Sequence, residues 1–143
     1  VPDTQLVPET IRLAQTVDRF VRRIHEQLHH RALAVDHEKV GPYGGMLLMA
    51  IAEMAPTPVQ DVTLRMARDK SQITRKLQEL ERKGLVQRRN DPTDGRVSLL
   101  QLTPRGDALV AAFQSTLGEV VDELLRPLPA GDRTQLVRLL SQI

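Results

Sequence analysis

The stretch "DKSQITRKLQELERKGLVQRRNDPTDGRVSLLQLTPRG", residues 69 to 106, decides the fold. Its later part, residues 85 to 102, sets two short runs around six residues that contain Asp-Pro and Asp-Gly. Asp and Asn start turns by bonding their own backbone, Pro fixes φ, and Gly tolerates positive φ, so a β-hairpin is expected. The oddity is its charge. Arg88 and Arg89 sit on one arm, where alternation sends them to opposite faces, and Arg96 ends the tip. Upstream, Asp69-Lys70-Ser71-Gln72 reads as a helix cap. The spacing predicts a helix over 71–83 with Ile73, Leu77 and Leu80 on one face. Ser71, Arg75, Gln78 and Arg82 fall on the opposite face, with Gln72 and Glu79 beside them. Gly84 stops the helix as the glycine just past its end.

Working outward, Thr57-Pro58-Val59-Gln60 reads as a second helix start. Thr57 would cap, Pro58 would take the first helical position, and Gln60 would close a capping box. That helix runs to about Ala67. Residues 46–55, "MLLMAIAEMA", make a short buried helix, and residues 9–34 make one long helix. In the long helix Ala14, Val17, Val21, Ile24 and Leu28 recur at the 3-4 spacing of a helix packed along another helix. Downstream, Thr103-Pro104 caps a helix over about 105–126, with Leu109, Phe113, Leu117, Val120, Leu124 and Leu128 at helical spacing. Leu136, Leu139, Leu140 and Ile143 mark a last amphipathic helix. The fold class is therefore mainly α with a small β-wing. Two short helices, a tight turn and a hairpin make a winged helix-turn-helix lobe over residues 40–104. Residues 1–36 and 105–143 form a helical dimerisation region, and the whole of 1–143 is one domain.

The chain of 143 residues has no cysteine, which excludes disulfides, Cys-ligated zinc and thiol redox sensing and suggests a cytoplasmic protein. No apolar run approaches the ~20 residues needed to span a bilayer, and no secretory signal is read at the start. The net charge is +2, but it is uneven. Residues 65–96 hold ten Lys/Arg against five Asp/Glu, so this segment carries +5 and the rest −3. A basic block in a near-neutral chain points to an anionic partner bound at one place.

Duplex DNA suits the pattern. Its major groove admits a helix whose N-terminal side chains reach base edges, and Ser71, Gln72, Thr74 and Arg75 are hydrogen-bonding groups at such a start. Lys70, Lys76 and Arg82 would neutralise phosphates. The hairpin explains its own arginines by reaching the adjacent minor groove, whose negative potential attracts an inserted Arg. Arg96 is the candidate, held by Asp94, with Arg88 lower on the wing. A rival motif is "HEQLH", residues 25–29, which matches H-E-x-x-H. His25 and His29 would hold zinc with Glu26 as base in a metallopeptidase, or with His30 or His37 form a regulatory metal site. The packing seam around Ile24 and Leu28 favours interface histidines instead. No phosphate loop, dinucleotide fingerprint or nucleophile elbow is present. No catalytic residue, metal or cofactor is expected.

Residues 69–106 resemble the multiple antibiotic resistance regulator (MarR) family of bacterial transcription factors. The family pattern has a Ser/Thr-rich recognition helix, then "LE-x-x-GLV-x-R", then "DP-x-D-x-R", then "L-x-LT-x-x-G", and every block occurs here in order. The resemblance implies a homodimer built from the first and last helices and a small-molecule effector bound between the dimer arm and the DNA-binding lobe. It places Ser71, Gln72, Thr74 and Arg75 at base-reading positions and Asp94 and Arg96 in the wing. The chain departs from the family at Gly41-Pro42-Tyr43-Gly44-Gly45, where a Thr-containing cap, a Gln and an aromatic are usual. Two glycines early in a helix either leave room for an effector pocket or merely let two helices pack closely; on the first reading the effector would bind in that pocket. Tyr43, Gly44, Gly45 and Met46 would line it, and Arg22 or His25 would meet the acidic group of an aromatic or acyl acid. The expected function is a DNA-binding regulator, a repressor released by that effector from a pseudo-palindromic double-stranded operator.

Overall fold

The computed structural model describes residues 6–143. The elements in chain order are α1 (Leu6–Val35), α2 (Gly41–Met54), β1 (Thr57–Pro58), α3 (Val59–Met66), α4 (Lys70–Arg82), β2 (Val86–Asn90), β3 (Ser98–Leu102), α5 (Pro104–Leu125) and α6 (Ala130–Leu140). They divide between two compact units, one spanning Ala32–Ser115 and the other the residues up to Arg31 with Thr116–Ile143. Both α1 and α5 cross that division. The architecture is mainly helical with one small sheet, the fold class expected.

In the central unit the core forms where the helical stripes of α2, α3 and α4 meet the root of the hairpin. Leu47, Leu48, Ile51, Val62, Ile73, Leu77, Leu80, Leu85 and Leu100 have no exposed surface. Burying a side chain of this size contributes about 1.5–3 kcal/mol, so this cluster holds α4 against the rest of the unit. Helix α2 begins at Gly41 rather than near Met46. Its first N–H groups find a cap outside the helix, because the Asp36 carboxylate accepts from Val40 N and Gly41 N, each at 2.9 Å. Gly41 adopts φ +73, the left-handed region open to glycine at no steric cost.

The sheet is three-stranded, in the order β1-β3-β2, and antiparallel throughout. This corrects the capping role expected of Thr57. Thr57 and Pro58 are extended and pair with Leu100 and Leu99 of β3. Pro58 is then the residue preceding α3, and no side-chain cap is made there. Thr57 is buried, and its hydroxyl donates to Pro58 O at 3.4 Å. A proline lacks the ladder N–H, which confines it to an edge strand such as this one.

In the other unit Val120 and Thr116 are buried. Arg31 pairs with Glu123 at 2.5 Å and Arg133 with Asp122 at 2.7 Å. Large apolar side chains remain exposed on α1 (Ile11, Leu13, Val17 and Val21) and toward the C-terminus (Val137, Leu139, Leu140 and Ile143). No described helix is long and apolar enough to cross a membrane.

Candidate nucleic-acid interface

Helix α4 starts where the Asp69 carboxylate accepts from Ser71 N at 2.8 Å, from Gln72 N at 3.4 Å and from the Ser71 hydroxyl. These bonds, the Ser71 hydroxyl first, hold the Asp69 carboxyl below its usual pKa. At the other end Leu85 N donates to Leu80 O at 3.0 Å and Gly84 N to Glu81 O at 2.9 Å, with Gly84 at φ +69. This is the Schellman arrangement, completed by the buried contact side of Leu80 and Leu85. With both ends fixed and Ile73, Leu77 and Leu80 inward, the opposite stripe must face out. Ser71, Gln72, Arg75, Gln78 and Arg82 are all exposed.

The stripe is flanked by two hollows. One, of about 450 Å³, is lined by Tyr43, Gln72, Arg75, Lys76, Gln78, Glu79 and Arg82. The other, of about 630 Å³, is lined by Asp69, Lys70, Ser71, Thr74, Arg75 and Gln78. Arg75 and Gln78 line both, so they form the ridge between them. Periodicity puts Gln78 on this face, and its position on the ridge between the two hollows adds it to the candidate site residues.

The cations of the basic block fall into two groups. Arg65 pairs with Glu53 at 2.9 Å, Lys76 with Glu79 at 2.7 Å, and Arg88 with Glu81. Arg96 pairs with Asp94 at 3.3 Å, and Lys83 donates to Glu38 O at 2.6 Å. Among the described residues, Arg68, Lys70, Arg75, Arg82 and Arg89 enter no ion pair. Two expected base-readers also have internal partners, since Ser71 donates to Asp69 and Thr74 donates to Lys70 O at 2.8 Å.

The wing loop spans residues 91–97. Asp91 accepts from Thr93 N at 2.8 Å and from its hydroxyl at 2.7 Å; these bonds, the backbone one first, lower the Asp91 pKa. Asp94 accepts both the backbone N–H of Arg96, at 3.1 Å, and its guanidinium. The Arg96 side chain is nonetheless 93% exposed. Thus the short sequence blocks each have a physical job. Glu81 and Arg88 are one ion pair between α4 and β2. Asp91 and Asp94 shape the tip. Thr103 accepts from Gly106 N at 3.1 Å to cap α5 and donates to Gly84 O at 2.6 Å.

The room expected beside Gly44 and Gly45 is filled. A Cβ on Gly44 would lie 2.8 Å from Val40 Cβ, and one on Gly45 would lie 3.2 Å from Phe113 Cε2. The glycines let neighbours approach the α2 backbone rather than leave a void. Tyr43 is half-buried, its hydroxyl shut off from water without a hydrogen bond, and Met46 is exposed. Burial pushes the Tyr43 phenol pKa up. Arg22 and His25 lie on the part of α1 that belongs to the other unit, where Arg22 pairs with Asp18 at 2.8 Å. His25, Glu26, His29 and His30 are exposed, and the rings of His29 and His30 meet edge to face at 5.9 Å. Among the described residues no group of three His, Cys, Asp or Glu side chains could hold a metal ion.

Known proteins share this fold and part of this sequence. The family model described as MarR family matches residues 45–97. The HTH-type transcriptional regulator YxaD of Bacillus subtilis is 31% identical over 98 residues, 68% of this chain and 68% of that protein. In fold, the chain is similar to wild-type MarR from E. coli in its apo form, with a TM-score of 0.73 and 23% identity, over 91% of this chain and 95% of that one. It is also similar to a mutant MarR from E. coli complexed with operator DNA, with a TM-score of 0.70 and 24% identity, over 94% of each chain. The matched relatives decide it: the chain belongs to the MarR family of helix-turn-helix transcriptional regulators.

Proposed function

We propose that this regulator binds a pseudo-palindromic duplex as a homodimer, with residues 40–104 as the DNA-binding lobe and 1–36 and 105–143 as the dimerisation region. Helix α4 enters the major groove and the wing reaches the minor groove. The observation that carries the reading is the outward stripe of α4, where Lys70, Arg75 and Arg82 enter none of the ion pairs among the described residues and stand around Gln72 and Gln78. Arg75 reads guanine and Gln72 adenine, each by a two-point contact. Lys70 and Arg82 neutralise phosphates. Ser71 and Thr74 reach bases through the lone pairs their internal bonds leave open. Lys76, Arg88 and Arg96 act within their pairs with Glu79, Glu81 and Asp94, and Arg96 is the one extended enough to enter a narrow groove. A structural relative complexed with operator DNA supports duplex DNA as the partner. A member of this family is a regulator and not an enzyme.

The protein acts as a repressor that an aromatic or acyl acid releases from DNA. In the central unit that proposal rests on Tyr43, whose buried hydroxyl lacks a partner, and on the exposed Met46. Linkage requires such a ligand to bind the DNA-free form more tightly. The test is selection of bound duplexes from random DNA by wild type and by Arg75→Ala. The reading expects half-sites about one helical turn, ~10 bp, apart, and a loss of ~1–3 kcal/mol at one base position in the variant. An unchanged preference removes Arg75 from the reading set.

A further inference from the structure

The turn between α3 and α4 holds one more cation of the basic block, Arg68. Arg68 is exposed and enters none of the ion pairs among the described residues. It is not loose, however. Its guanidinium carbon lies 5.6 Å from the centre of the Tyr43 ring, within the range at which a cation is attracted to an aromatic face. Tyr43 is itself anchored. It packs against the central core and walls the smaller hollow together with Gln72, Arg75 and Arg82. Arg68 therefore stands at the edge of the groove formed by the outward face of α4.

The mode of holding matters. Arg65, Lys76, Arg88 and Arg96 are held by carboxylates. An ion pair fixes a cation but cancels its charge, and it must loosen before the cation can meet a phosphate. An aromatic face fixes the guanidinium plane and leaves both the full charge and the edge N–H donors available. Arg68 is thus ordered in advance without being neutralised, which is what an anion contact at the flank of a reading helix requires.

We propose that Arg68 contacts a DNA phosphate beside the α4 groove and that Tyr43 is the residue that positions it, a proposal that rests on α4 being the DNA-reading helix. Phosphate contact carries no sequence information, so this pair contributes to affinity and leaves base preference alone.

The experiment uses the full chain and a duplex that the wild type selects from random-sequence DNA, with affinity measured from 50 to 200 mM salt. Each phosphate contact adds about 0.9 to the slope of log affinity against log salt. A dimer carries two copies of Arg68, so Arg68→Ala should lower the slope by about 1.8. Its deficit against wild type should then shrink about twelvefold over that salt range, with base preference unchanged. Tyr43→Leu should lower the slope likewise and add nothing in the Arg68→Ala background. Tyr43→Phe, which keeps the ring face, should restore it. Arg75→Ala on the same duplex separates the two layers of the argument. If Arg75→Ala alters base preference while Arg68→Ala leaves the slope alone, Arg68 is not a contact and the proposal is overturned. If neither variant has an effect, the α4 reading fails as well. If Arg68→Ala lowers the slope but Tyr43→Leu does not, Tyr43 does not position it. Melting curves check the fold of each variant, and Arg68→Ala, on an exposed turn, keeps the test usable if Tyr43→Leu unfolds.

Discussion

Gly106→Ala should destabilise the protein strongly, although alanine is the better helix former by about 1 kcal/mol. Gly106 lies in the first turn of α5, pressed on the root of the wing. A Cβ built there falls 2.1 Å from Leu85 O and 3.1 Å from Leu85 C. The obstacle is backbone, so it cannot rotate away, and the start of α5 must move off Leu85, just before β2. That movement opens the bond from Thr103 N to Leu85 O, at 3.0 Å, and the bond from the Thr103 hydroxyl to Gly84 O, at 2.6 Å. Each such bond contributes about 1 kcal/mol net, and a buried acceptor left bare costs about 1–3 kcal/mol. After subtracting the propensity gain, the expected loss is about 2–4 kcal/mol. With a urea slope of about 2 kcal/mol per molar, the unfolding midpoint should fall by about 1–2 M. The assay is urea unfolding followed by far-UV circular dichroism at equal protomer concentration, because the midpoint of the proposed dimer depends on it. Gly118→Ala, in the same helix with no atom within 4 Å of the added Cβ, is the reference and should raise the midpoint. A Gly106→Ala midpoint at or above wild type would refute the packing argument.

Other expectations follow from the same geometry. Hydrogen bonds lower the Asp69 carboxyl pKa in the folded state, so its stabilisation is present above the unfolded value and lost as pH falls through the folded one. Asp69→Asn should therefore flatten the fall in melting temperature below about pH 4, and an unchanged acid profile counts against the cap. Glu81→Ala and Arg88→Ala should be non-additive in stability by up to about 1 kcal/mol, since the pair is partly exposed; additive losses would mean that the pair does not form in solution. Arg96→Ala should weaken DNA binding most on duplexes with A·T-rich flanks, and a uniform loss across flanks would place Arg96 on a phosphate. Leu140→Asp should give monomer by sedimentation and abolish operator binding, because Leu140 belongs to the exposed apolar set at the C-terminus; a dimeric variant sinks that assignment.

The two Thr-Pro pairs show what a sequence can and cannot decide alone. Thr103-Pro104 reads as a helix cap and is one, because its partner, Gly106 N, lies three residues on. The Asp69 cap and the Gly84 stop were legible for the same reason: donors and acceptors a few residues apart meet whatever the rest of the chain does. The inward stripe of Ile73, Leu77 and Leu80 was also legible, since helical period alone puts them on one face. Thr57-Pro58 has the same letters, yet it became an edge strand. Its partners are Leu99 and Leu100, and only the folded chain brings that strand edge alongside. Tertiary structure likewise put the Phe113 ring against Gly45, where the letters allowed either an empty space or a close approach. It brought Glu38 to Arg105 at 2.5 Å. It also sorted the basic block into cations that form ion pairs with carboxylates and cations that do not, which no count of charges could do. Local hydrogen bonding and periodicity act over a turn or two of helix, whereas occupancy of a space and pairing of a charge depend on which distant surface arrives there.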